Sequence, residues 1–246
     1  MSRRTGAAFV AALGVDDLLL VERLGLVPAG VVLGYSLHSG ILDPGRAGAD
    51  GEDGGRTRAL VAGWTLCRDR LLAQAEDLGA DGVVGIDLRL DPADGNRVAV
   101  RAHGTAVRAR TLEGGWRTDA TAPFTTTLSG RDVWLLARAG YRPLGIAFGA
   151  SAGPLPDDGR ADDDGEHDPP AQALYDARER ALDRVRAEAD ALNADGVVGL
   201  AVTDAPPRNR LREVGVVAWG TSVRRIDGHE PGPDPEVVLP LTGGSW

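Results

Sequence analysis

Apolar residues recur at three- and four-residue spacing between positions 58 and 78. Leu60, Trp64, Cys67, Leu71, Ala75 and Leu78 fall on one stripe, and arginines and acids cover the other side. This pattern predicts a helix over Arg58–Leu78. The stripe returns as Leu174, Ala181, Val185, Ala189 and Leu192. Elsewhere the period shortens to two, which predicts strands at Ala29–Leu37, Gly82–Leu90 and Val98–Arg108, and again at Leu144–Ala150, Gly196–Thr203 and Leu211–Arg225. Two extended arms, Phe9–Leu13 and Phe124–Leu128, each precede a short helix, about Asp16–Leu24 and about Asp132–Ala139. Asp16 and Ser129 are candidate N-caps, and Gly25 and Gly140 are candidate C′ residues. The long helices should stop at Gly79 and Asn193, the two residue types best suited to a left-handed C′ position.

The predicted elements come in two sets because the chain is duplicated. Residues 78–87 read LGADGVVGID and residues 192–201 read LNADGVVGLA. Phe9 to Gly34 lies over Phe124 to Gly149 without a gap at an offset of 115. The offset is 114 across Ala59–Ile86 and 116 where Gly104–Arg108 meets Gly220–Arg224. Length changes fall between matched blocks, as loops in a repeated fold should. The fold class expected is α+β, a tandem duplication of a small β-α-β-β module with an N-terminal arm and short helix. The modules span 9–110 and 124–226, followed by a linker and apolar tail at 227–246. Linkers are expected at 43–55, 112–123 and 154–170. One long helix cannot cover a three-stranded sheet on both faces, so a face and an edge are left for association.

Composition narrows the chemistry. Among 246 residues the formal net charge is −9, which disfavours a nucleic-acid groove or an anionic membrane surface as the main partner. All 27 basic residues are arginine. Without lysine there is no Schiff-base catalysis and no Walker-type phosphate lysine, and the Arg, Ala, Gly and Asp bias suggests a high-GC bacterial genome. Cys67 is the sole cysteine, which excludes an intramolecular disulfide and fits a reducing cytosol. Arg3-Arg4 before Ala7–Val15 imitates a short signal sequence, but Phe9 matches the internal Phe124, so the stretch is expected to belong to the fold. No run reaches the roughly 18 apolar residues of a membrane span. A cytoplasmic location is expected.

The FTTTLSG segment at Phe124, the ADGVVG turn and strand, and the terminal GTAV and GTSV strands together resemble the YbjQ-like family, also labelled heavy-metal-binding. The resemblance runs from Phe9 to Arg225 apart from the loops. It implies a small β-α-β-β fold like that of dodecin-type subunits, a homopentameric ring and no established enzymatic activity. Five duplicated chains would then supply ten modules, as two stacked rings with one repeat type in each.

The ligand chemistry behind the metal label is sparse. A soft-metal site needs convergent Cys, His or Met. The candidates are Cys67, which sits on the apolar stripe, and His38, His103, His167 and His229, none in a close motif. The acidic stretch Asp157–Asp168 lacks the spacing of a calcium loop. No GxSxG elbow is present, and Asp81 and Asp195 precede glycines as turn or capping residues would. No cofactor is expected, with a divalent metal ion as the alternative.

One sheet face diverges between the copies. Asp87, Arg89, Arg101 and His103 share a face by period two, and their counterparts are Ala201, Thr203, Val217 and Trp219. The second face is expected to lie against another domain, with Trp219 an assembly contact. The first, with Arg89, Arg101 and His103, is expected to line a polar pocket or interface that could bind a ligand. The tail Glu236–Trp246 carries Val238, Leu239, Leu241 and Trp246. Leu241–Ser245 loosely resembles tails that load cargo into encapsulin shells, so docking to a protein partner or shell is expected. The function anticipated is a non-catalytic, ring-forming assembly protein, the alternative being a metal-ion or small-ligand module with sites at module interfaces.

Overall fold

Both copies of the predicted module are present in the computed structural model, which describes residues 9–39, 55–94, 97–111, 116, 122–155, 169–206, 213–226 and 228. The first half runs α1 (Val15–Arg23), β1 (Leu26–Ser39), α2 (Gly55–Asp77), β2 (Gly82–Ala93) and β3 (Arg97–Ala109). The second runs β4 (Phe124–Thr125), α3 (Gly130–Arg138), β5 (Tyr141–Pro154), α4 (Pro169–Ala191), β6 (Gly196–Asp204) and β7 (Glu213–Arg225). Each element sits where the hydrophobic periodicity puts it. The strands mostly run a few residues past their predicted ends, because ladder hydrogen bonds extend beyond the alternating pattern.

Helix ends follow residue chemistry. Gly79 and Asn193 have φ of 61° and 51°, and Gly25 and Gly140 have φ of 78° and 80°, so all four stop their helices in the left-handed region. Ser129 caps α3, its hydroxyl accepting from the Asp132 amide at 3.1 Å. Asp16 does not cap α1. The N-cap is Gly14, with no side-chain bond, and Asp16 lies inside the first turn, where its charge complements the helix dipole.

The sheets run β1-β3-β2-β4 and β5-β7-β6. Sequence alone assigns β4 to the second module, yet it pairs in parallel with β2 of the first, Gly82 opposite Phe124 and Val83 opposite Thr125. Each sheet carries a bulge at the second glycine of GVVG, where Gly85 and Gly199 have φ of 67° and 61°. Close approach explains two further glycines. A Cβ on Gly34 would collide with the Cys67 carbonyl, and one on Gly149 with that of Ala181, so each long helix can lie against its own sheet.

The main core is not confined to one module. Val32, Leu60, Trp64, Cys67, Leu71 and Val100 of the first half form one cluster with Ile146, Phe148, Ala150, Ala152 and Val217 of the second. Helix α2 is therefore shared: one side rests on β1 and β3, the other on β5.

Candidate functional site

The densest chemistry lies where the modules meet, and short polar side chains organise it. The edge of β5 away from β7 has amide and carbonyl groups that no strand among the described residues pairs. Ile146 N–H donates to Thr125 Oγ1 at 3.1 Å, Phe148 N–H to Glu188 Oε2 at 2.9 Å, and Ala152 N–H to Thr57 Oγ1 at 2.9 Å. Arg184 donates to the Ala150 carbonyl at 2.7 Å. An edge protected by side chains from α2, α4 and the arm cannot recruit another strand. On its apolar face Phe148 stacks on Trp64 with ring centroids 5.6 Å apart. Arg56 is buried and donates to the Pro206 carbonyl across the junction.

The arm completes the joint. Phe124 N–H donates to the Asp81 carbonyl at 3.1 Å, Thr126 N–H to Val83 at 3.0 Å, and the bulged Gly85 N–H to Leu128 at 3.0 Å. Thr126 Oγ1 also meets Thr221 Oγ1 at 2.9 Å, and the matching Thr105 Oγ1 accepts from the Ala12 amide at 2.9 Å. The threonine of each GT strand thus holds the arm of its own module. Asp17 reaches across as well, accepting from the Arg131 amide at 2.8 Å, next to the α3 N-terminus.

A groove of about 810 Å³ opens between α2 and α4, with Thr57, Val61, Thr65, Phe148, Arg184 and Glu188 among its lining. Burial raises Glu188 above the ordinary carboxylate range, opposed by the Phe148 N–H and the charge of Arg68. In the first module Gln74 stands in place of Glu188. It both accepts from Leu33 N–H at 3.1 Å and donates to Leu33 O at 2.8 Å, without a charge to desolvate.

The residues singled out from sequence do not converge on one site. Arg89 pairs with Asp87 at 3.0 Å and Arg101 with Asp91 at 2.5 Å, all on an open sheet face, and His103 is exposed beside them. That face is polar, as expected, and its charges are exposed ion pairs, while the groove described above has none of these residues in its lining. Cys67 is fully buried on α2, facing the shared core, and burial pushes its thiol up to about 11. His38 is partly buried beside Gly63. Among the described residues no three His, Cys, Asp or Glu side chains group as metal ligands. Trp219 is partly buried against the shared core, so the domain its face covers is the first module of the same chain. His167, His229, the acidic stretch 157–168, and Val238, Leu239, Leu241 and Trp246 lie outside the described residues.

Asp81 and Asp195 have the structural role their position suggested. Their carboxylates accept from the amides of Ala109 at 2.8 Å and Arg225 at 2.7 Å, tying each turn to the end of the neighbouring strand. Sequence reasoning missed the junction residues Thr57, Thr125 and Glu188. The one signal available was that Gln74 and Glu188 occupy the same repeat position and have the same reach.

These features define a class: a duplicated α+β module in which the arm of the second copy joins the sheet of the first and one helix is shared. The chain belongs to the YbjQ family, whose description reads "Putative heavy-metal-binding" and whose model matches residues 10–110 and 164–225. It is similar to the "Encapsulin nanocompartment protein Rv1762c" of Mycobacterium tuberculosis, at 30% identity over 95% of this chain and 92% of that protein. UPF0145 proteins of Halorubrum lacusprofundi and Fervidobacterium nodosum are 34% and 32% identical. Each match covers 37% or 38% of this chain but 88% or 86% of the relative. Those relatives have the length of one module, and this chain has two. No helix among the described residues is long and apolar enough to cross a membrane.

Proposed function

We propose that this protein is a non-catalytic building block that assembles with copies of itself. The observation that carries the reading is a set of exposed apolar side chains on strand faces and edges: Leu33, Tyr35 and Leu37 on β1, and Leu200 and Val202 on β6. Exposed apolar residues in rows on edge strands mark association surfaces. The relative named as an encapsulin nanocompartment protein agrees with a role in a larger assembly. A cytoplasmic, multi-chain particle follows, with five chains the number implied by the family resemblance and residues 236–246 available to dock on a protein partner or shell. Mass photometry of the full chain should show a multi-chain particle. A stable 25.7 kDa species at micromolar concentration would overturn the reading.

The second reading, a small-ligand module with its site at the module interface, draws on the groove between α2 and α4. Metal analysis of purified protein, with and without Glu188→Gln in the groove and His103→Ala on the open sheet face, tests its metal-binding form. Bound metal lost in either variant would favour it.

A further inference from the structure

The junction inside the chain is built from two non-identical faces, and each module keeps the face its twin has used. The first module offers β2, the outer side of α2 and Asp17; the second offers its arm, the outer face of β5 and the start of α3. The corresponding surfaces are open at the two ends of the chain. Phe124 is 0% exposed but Phe9 is 54%, and Ile86 is 4% exposed but Leu200 is 49%. Phe148, Ala150 and Ala152 are buried, whereas their counterparts Leu33, Tyr35 and Leu37 are exposed. Leu60 and Trp64 are buried, whereas Leu174 and Arg178 are exposed. A Cβ on Gly82 would run into the Phe124 ring; a Cβ on Gly196 would meet nothing within 4 Å among the described residues.

We infer that a second copy of this chain fills the open end: its Phe9–Leu13 arm adds to β6 in parallel, Phe9 seated over Gly196 and Val10 opposite Val197. This rests on the self-assembly proposed above and names its contact. The occupant is set by continuity with the junction already formed, since the edge strand, the helix face, the facing strand and the arm used there each have an open equivalent in the same register. Arm addition satisfies an otherwise open edge, and the α4 row of Leu174, Tyr175 and Arg178 then covers Leu33, Tyr35 and Leu37 of the incoming copy. The interface is head-to-tail, so it propagates until a ring closes. Repeats alternate around such a ring, which therefore holds an even number of modules. This order differs from two stacked rings with one repeat type in each.

Two variants test the contact. Phe9→Asp removes the plug and Gly196→Val blocks the socket, and both sites are open in the single chain, so each variant should keep its unfolding transition. Each alone should fall from the wild-type mass to 25.7 kDa. Mixed in equal amounts they should form a two-chain complex and nothing larger, because one intact arm and one intact socket remain. Wild-type mass in either variant, or no pair in the mixture, overturns the inference and leaves self-assembly standing. A wild-type protein that is itself a single chain overturns both.

Discussion

The filled junction at Gly82 and Phe124 and the open one at Gly196 and Phe9 share the same sequence signature and differ in every measure of burial. The residues that shape the local backbone are kept in both: Asp81 and Asp195, Gly85 and Gly199, Thr105 and Thr221. The residues that face the neighbour are not, with Trp64 against Arg178, Phe148 against Leu33, and Gln74 against Glu188. A motif that specifies a turn, a bulge and an anchored arm thus does not specify what lies on top of it. The larger aromatic partners sit in the junction that one chain completes by itself.

The sharpest way to break this contrast is at its aromatic centre. Trp64→Ala should cost about 3–5 kcal/mol in denaturant unfolding, because it empties a buried site and removes the Phe148 stack. Arg178→Ala, at the matching position, should change stability by no more than about 0.5 kcal/mol when both are measured in the Phe9→Asp background. Equal losses would mean that the two junction faces are not distinct in the chain.

A smaller effect separates the glycines. Gly82→Ala should cost about 1–3 kcal/mol as its methyl displaces the Phe124 ring. In the same single-chain background Gly196→Ala should be neutral or stabilising by about 0.4–1 kcal/mol, since the new Cβ meets no atom and restricts the unfolded chain. Thermal melts of the pair decide the point; a destabilised Gly196→Ala would show that β6 is not an open edge.

The smallest effect concerns Glu188. Burial raises its folded-state pKa, so the folded protein holds a proton that the unfolded chain releases near the ordinary carboxylate value. Stability attributable to this group is therefore greatest below that value and falls as pH rises through the raised one. Glu188→Gln, which copies Gln74, should remove this slope and raise the melting temperature at neutral pH by a few degrees. An unchanged pH profile between about pH 4 and 7 would show that Glu188 is not the group responsible.

Much of the fold was legible because it depends on local rules. The apolar stripe placed α2 and α4, the period-two runs placed the strands, and Gly or Asn at the C′ positions ended the helices. Leu174 marks where the stripe misleads: it keeps the spacing of Leu60 but is exposed, because among the described residues no strand lies over that side of α4. The N-cap of α1 was misplaced for a different reason, since an aspartate in a first turn is favoured by the dipole whether or not it caps. Candidate site residues were least legible. Arg89, Arg101 and His103 were grouped correctly on one face, but whether a face becomes a pocket depends on what approaches it.

By itself the sequence determined two copies of one α+β module, their helix stops and the divergence of their outer faces. Only the tertiary structure decided that β4 belongs to the sheet of the other module, that α2 is shared, and that Thr57, Thr125 and Glu188 seal the edge of β5. The physical reason is that propensity and periodicity act through neighbours along the chain. Strand edges present the same backbone groups whatever the residue, so sequence offers no label for the partner.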